Sequence, residues 1–135
     1  MYEICVFTAG EQSYADTVLD YIDEDYQIIK HRLYRHHCVM PANGIYVKDL
    51  RIIADRDLKE IIIVDNSIIS FAFNLSNGVP ISAFTGQQND EELLYMVSLL
   101  EEIYAFPDIR PQIDAKFKLN HLLRKHSVAV DSEKQ

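Results

Sequence analysis

A layered α/β fold with a mainly parallel sheet is what three features of this sequence predict. Short β-forming apolar runs alternate with segments of helical periodicity along the whole chain, as strands joined by crossover helices require. The run Ile61-Ile62-Ile63-Val64 is apolar and β-branched throughout, which suits a central strand covered by helices on both faces. Residues 90–104 carry apolar side chains at helical spacing behind an acidic start, the pattern of a helix that covers such a sheet.

Tyr2 to Thr8 reads as the first strand, short and rich in β-formers, and Ala9-Gly10 ends it. Ser13 to Ile22 reads as a helix, with Ala15, Val18, Leu19 and Ile22 on one face and Ser13 as the expected N-cap. Asp23-Glu24-Asp25 ends it as a solvated acidic turn. Gln27 to Met40 is strand-like and contains a basic island of Lys30, His31, Arg32, Arg35, His36 and His37. Pro41 to Gly44 is a turn, and Tyr46 to Leu50 a short extended piece. The aliphatic strand follows. Asp65-Asn66-Ser67 ends it and leads into a short helix through Phe73, with Ser67 near its N-cap. Val79 to Phe84 is a further strand. In the helix of residues 90–104, Leu93, Leu94, Val97, Leu100 and Ile103 form the expected buried stripe. Ile109 to Leu123 reads as a last helix with a possible break, and Ser127 to Gln135 as a polar, disordered tail. There is no repeat or internal linker, so residues 1–126 are read as one domain and 127–135 as its tail.

With 135 residues, 48% of them hydrophobic and 25% charged, the chain is long enough for one domain with a real core. Its formal net charge of −8 excludes general binding to the nucleic-acid backbone and to anionic membrane surfaces, both of which need clustered Lys and Arg. No apolar run approaches the ~20 residues of a membrane span. Cys5 and Cys38 have no metal-type spacing and are too few for a disulfide scaffold, which fits a reducing nuclear or cytoplasmic compartment.

In open α/β sheets, ligands bind beyond the C-terminal ends of the strands. There the sequence places Thr8, then Asp65 and Asn66, with Lys48 in the loop region between them. A hydroxyl and an ammonium suit phosphate oxygens, while carboxylate and amide oxygens suit Mg²⁺. Each residue alone also has an ordinary reading. Thr8 reads as a strand-end turn residue, Asp65-Asn66-Ser67 as a turn and N-cap, and Lys48 as an exposed lysine. The basic island reads equally as a charged edge strand. His36 and His37, adjacent on a strand, would point to opposite faces and could not easily share a metal ion.

Taken in order, the strings Val6-Phe7-Thr8-Ala9-Gly10, Tyr14-Ala15-Asp16, His31 to Cys38, Tyr46-Val47-Lys48-Asp49-Leu50, Arg56-Asp57-Leu58 and Ile63-Val64-Asp65-Asn66-Ser67 closely resemble the small C-terminal-domain phosphatases. These are the NLI-interacting-factor-like domains of the haloacid dehalogenase superfamily. The likeness runs from residue 2 to about 123, and Ser76 to Ile81 and the closing stretch from Asp108-Ile109-Arg110-Pro111 to Leu122-Leu123 look most like the small phosphatase-like 2 branch. The resemblance implies a haloacid-dehalogenase-like three-layer sandwich with a mainly parallel sheet. It implies a Mg²⁺-dependent protein serine/threonine phosphatase that forms an aspartyl-phosphate. Thr8 would bind a phosphoryl oxygen, Lys48 would neutralise the phosphoryl group and nucleophile, Asn66 would ligate Mg²⁺, and Asp65 would support catalysis and the metal. Arg35 would contact the phosphate and Tyr14 would line the substrate groove. The partner would be a phosphorylated protein, of which the C-terminal repeat of RNA polymerase II is the family's best-known example, in the nucleus or cytoplasm.

The sequence departs from that family at its centre. The nucleophile motif Asp-x-Asp-x-(Thr/Val) does not occur. The only Asp-x-Asp strings are Asp23-Glu24-Asp25 and Asp55-Arg56-Asp57, and neither follows an apolar strand. The chain is therefore expected to be N-terminally truncated, lacking the central nucleophile-bearing strand, and to be inactive alone. The alternative is a non-catalytic module that binds phosphoproteins. Glu11 also stands where the family has a more apolar groove residue, Ile68 where it usually has proline, and His36 where it usually has an acid.

Overall fold

The computed structural model describes residues 1–124, so the expected tail lies outside the described residues. Among the described residues, and ahead of a further helical stretch at 119–124, the strands and helices run in the order β1 (Ile4–Phe7), α1 (Gln12–Ile22), β2 (Ile29–Leu33), β3 (Val39–Ala42), β4 (Ile45–Val47), β5 (Ile63–Asp65), β6 (Gly78–Pro80), α2 (Glu92–Ile103) and α3 (Arg110–Phe117). Among the described residues they form three two-stranded sheets. β1–β2 and β5–β6 are parallel, and β3–β4 is an antiparallel hairpin. The predicted α/β organisation with parallel pairing is thus present. Parallel partners need crossovers, which α1 and the 3₁₀ segment Ile68–Asn77 supply.

Several boundaries differ from the sequence expectation. The long strand-like stretch 27–40 is divided by a 3₁₀ turn at Arg35–His37. The turn expected over Pro41 to Gly44 is narrowed to residues 43–44 of the β3–β4 hairpin, where Gly44 takes a φ of 78° that a side chain would resist. The N-cap of α1 is Glu11, not Ser13, and its side chain makes no capping bond. The possible break in the last helix is real. Lys118 ends α3 at a left-handed φ of 54°, and residues 119–124 turn helical again.

The interior is built in two clusters. Val79, Met96, Leu99, Ile103, Ile109 and Ile113 form one. Leu50, Ile63, Phe71, Leu75 and Leu119 form the other, and Phe117 packs against both. The buried stripe of α2 is therefore Met96, Leu99 and Ile103, while Leu93, Leu94 and Val97 are exposed. α2 is apolar on most of its circumference, so periodicity admits two overlapping stripes and only the sheet's position selects between them.

The acidic turn after α1 is solvated at Glu24 and Asp25 but not at Asp23. Asp23 is only 5% exposed. Its carboxylate accepts the backbone N–H groups of Gln27, Ile28 and Ile29, the last at 2.7 Å, and so starts β2. These donors, Ile29 foremost, hold the carboxyl below the usual aspartate range. The resulting stabilisation is present above the ordinary value near 3.9 and disappears as pH falls through the lower folded value. Asp23→Ala is expected to lower the melting temperature by several degrees at pH 7, and the gap to the parent protein should shrink below about pH 4. Melts at both pH values test this, and a gap that ignores pH would assign the effect to packing.

Candidate functional site

Lys48 and Asp65 form the best-defined contact of the site. Asp65 is the last residue of β5, fixed by the pairing of Ile63–Asp65 with Gly78–Pro80. Lys48 follows β4, and its backbone is held on both sides. Its own N–H donates to the Ser70 carbonyl at 2.7 Å, and the N–H of Leu50 donates to the Asn74 side-chain oxygen at 3.0 Å. The ammonium meets the Asp65 carboxylate at 2.5 Å, with side chains only 12% and 7% exposed. The other Asp65 oxygen accepts the Ser67 N–H at 2.8 Å. Lys48 is therefore not the exposed lysine of its ordinary reading. It is a buried cation with one committed partner.

Thr8 and Arg35 form a second group at the C-terminal ends of the other parallel pair. The Thr8 hydroxyl accepts the Gly10 N–H at 2.9 Å, so it makes the local turn its bland reading predicts. Arg35 is laid over the same turn. Its N–H donates to the Gly10 carbonyl, its Nε to the Ala9 carbonyl at 2.6 Å, and its Nη1 to the Glu11 carboxylate at 2.6 Å. The guanidinium also lies over the Tyr46 ring at 5.1 Å.

Cys38 marks where the two groups meet. Its thiol donates weakly to the Thr8 carbonyl at 3.8 Å. Burial pushes this thiol up, while the nearby charges of Lys48 and Arg35 pull it the other way. Thr8, Arg35, Lys48 and Asp65 are thus gathered at one end of the parallel strands, where such folds bind ligands. Asn66 sits beside them, exposed and with no side-chain hydrogen bond among the described residues. Tyr14 is 70% exposed on the first turn of α1, with its ring near Gly10.

A free amide oxygen at Asn66 and the carboxylate of Asp65 are hard donors of the kind Mg²⁺ takes, and this ion keeps several waters and needs only one or two carboxylates plus substrate oxygens. Among the described residues, no group of three or more metal-type side chains occurs. Asp65 and Asn66 could therefore supply only part of a ligand set.

Both Asp-x-Asp strings have structural employment. Asp23 starts β2, and Asp57 caps the 3₁₀ turn Leu58–Glu60 by accepting the Lys59 N–H at 3.0 Å. The histidine expectation fails in its premise. His36 and His37 lie in the 3₁₀ turn with ring centroids 4.1 Å apart, and His37 Nδ1 accepts the Tyr34 N–H. Sequence reasoning missed Ser70 and Asn74, which set the Lys48 loop. Asn74, a polar residue inside Phe71-Ala72-Phe73-Asn74-Leu75, was the visible signal, because buried amides are kept where they are bonded.

Comparison with known proteins gives a consistent result. The family model described as NLI interacting factor-like phosphatase matches residues 1–110. CTD small phosphatase-like protein 2 of Dictyostelium discoideum is 44% identical over 91% of this chain and 21% of its own length. CTD small phosphatase-like protein 3 of Caenorhabditis elegans is 39% identical over 98% of this chain and 46% of its own length. The chain therefore spans less than half of either relative. A solved structure of the fission yeast RNA polymerase II CTD phosphatase Fcp1, bound to beryllium fluoride, superposes with a TM-score of 0.54 at 18% identity, covering 94% of this chain and 36% of that one.

Proposed function

The chain belongs to the NLI interacting factor-like phosphatase family, and we propose that it forms part of a Mg²⁺-dependent protein serine/threonine phosphatase domain whose nucleophilic aspartate lies outside residues 1–135. Its fold is haloacid-dehalogenase-like. The observation that carries the reading is the convergence of Thr8, Arg35 and the Lys48–Asp65 pair at the C-terminal ends of two parallel strand pairs. β1 and β5 each have one hydrogen-bonded neighbour among the described residues. A parallel strand paired to both would join them into one sheet and deliver its last side chains to Lys48.

In this reading, Thr8 and Arg35 donate hydrogen bonds to phosphoryl oxygens, and Tyr14 supports the substrate backbone. Lys48, held by Ser70 and Asp65, places a fixed positive charge where the phosphoryl group and the attacking carboxylate would repel one another. Asp65 and Asn66 would help hold Mg²⁺, which screens that same repulsion. The substrate class is phosphoserine or phosphothreonine protein, with the RNA polymerase II C-terminal repeat as one candidate, in nucleus or cytoplasm. Among the described residues, no helix is long and apolar enough to cross a membrane.

The test joins an apolar strand ending in Asp-x-Asp-x-Thr to the N-terminus and measures phosphate release from a phosphoserine peptide in Mg²⁺. Release is expected from the joined protein only, falling about a hundredfold with Thr8→Val or Asn66→Ala. Release from residues 1–135 alone that Asn66→Ala abolishes would place the nucleophile within them. Phosphate-dependent binding without turnover in both proteins would favour the binding-module reading.

A further inference from the structure

We propose that Glu11 is an internal occupant of Arg35 that an incoming phosphoryl group displaces, so that the site selects phosphoserine segments with a basic residue beside the phosphate. This rests on the phosphoprotein reading above and adds a specificity residue to it. The two cations of the site each carry a carboxylate, but the two pairs are built differently. Asp65 is 7% exposed and tied to the Ser67 N–H as well as to Lys48, so it cannot leave. The Glu11 side chain is 66% exposed. It forms no capping bond to α1, and Arg35 is its only side-chain partner among the described residues.

A carboxylate oxygen on a guanidinium N–H occupies the position that a phosphoryl oxygen would take, and here the contact runs through Nη1. Arg35 itself does not need Glu11 to stay in place. Its Nε is held by the Ala9 carbonyl at 2.6 Å and its face rests on Tyr46. A phosphate can therefore take the Nη1 donor while Arg35 remains where it is. The displaced carboxylate stays at the rim. Tyr14 lies three residues further along α1, on the same helix face as Glu11, with its ring against Gly10. A free carboxylate beside an exposed aromatic ring is a place for a Lys or Arg side chain. An acidic flank would instead meet Glu11 as a like charge, with Arg35 already taken.

The experiment titrates residues 1–135, in Mg²⁺, against fluorescent phosphoserine peptides flanked by lysines or by glutamates, with their unphosphorylated forms as controls. The parent protein is expected to bind the lysine-flanked phosphopeptide about fivefold more tightly than the glutamate-flanked one, the upper value for an exposed ion pair. In Glu11→Gln that ratio should fall to about one, mainly because the glutamate-flanked peptide binds better, and in Glu11→Lys it should invert. A lysine preference that survives Glu11→Gln would overturn the proposal, because general surface acidity would then explain it. Phosphate-dependent binding that ignores the flanks overturns the Glu11 role alone. Binding that ignores the phosphate overturns the phosphoprotein reading and the Glu11 role with it.

Discussion

Lys48→Met is expected to lower folding stability by about 3 kcal/mol or more, and adding Asp65→Asn is expected to recover most of that loss. The reason is the asymmetry of buried ion pairs. A buried pair contributes little net stability, since desolvation of both charges offsets their attraction, but removing one partner strands the other. Asp65 has nowhere to go. It closes β5, its side chain is 7% exposed, and its second oxygen already accepts the Ser67 N–H. Asparagine keeps that acceptor and removes the charge. Urea unfolding of both single variants and the double variant measures the coupling. A loss below about 1 kcal/mol in Lys48→Met would mean that water reaches Asp65 and that the pair is not dry. In the strand-joined protein, phosphate release should fall at least about a hundredfold in Lys48→Met and stay low in the double variant. Recovery of stability without recovery of activity would separate the chemical role of Lys48 from its structural one.

Gly78→Ala is the second large effect expected, about 3 kcal/mol of destabilisation from overpacking, at the upper end for such changes. A Cβ at Gly78 would lie 2.0 Å from Phe71 Cε2 and 2.2 Å from Cδ2. The ring cannot yield. Phe71 is fully buried among Leu50, Ile63, Leu75 and Leu119, and its backbone already breaks the 3₁₀ run with φ −122° and ψ 27°. Gly78 has an ordinary extended φ of −94°, so the demand is for space rather than for backbone freedom. Against a total stability of only 5–15 kcal/mol for a typical domain, such a loss is severe. Gly78→Ala with Phe71→Leu should regain part of it. A Gly78→Ala protein that unfolds at the parent's urea midpoint would show that β6 can move away from Phe71. The same clash links core and site, because Gly78 pairs with Ile63 two residues before Asp65.

How much of this was legible in the sequence varied with the kind of information each segment carries. α1 was readable as a helix from the spacing of Ala15, Val18, Leu19 and Ile22, but only Ala15 and Leu19 of that stripe are buried, while Val18 and Ile22 are exposed. α2 was readable as a helix but not in its orientation, since Met96 and Leu99 compete with Leu93 and Val97 for the same role. Residues 27–40 were read as one extended stretch because nothing in Tyr34 to Cys38 is a strong breaker. The 3₁₀ turn there follows from tertiary bonds of Tyr34 and Arg35, whose partners Asp16, Ala9 and Gly10 lie elsewhere in the chain. Asp23 was read as solvated because nothing in the sequence shows that the chain folds back at Tyr26 to bring the N–H groups of Gln27, Ile28 and Ile29 onto its carboxylate.

The sequence by itself determined the α/β class, the parallel pairing and the family. These follow from the period and order of apolar runs and from motif strings that survive without coordinates. It also supplied candidate site residues, because Thr8, Asp65 and Asn66 stand at strand ends, Lys48 lies in the loop region between them, and the resemblance assigns them roles. Only the tertiary structure decided which of them touch. It committed Lys48 to Asp65, laid Arg35 over the Thr8 turn with Glu11 on its Nη1, and left the Asn66 side chain without a hydrogen bond among the described residues. Strand order along a chain is a local property written in side-chain spacing, whereas the partner of a buried charge depends on which distant segment excludes water from it.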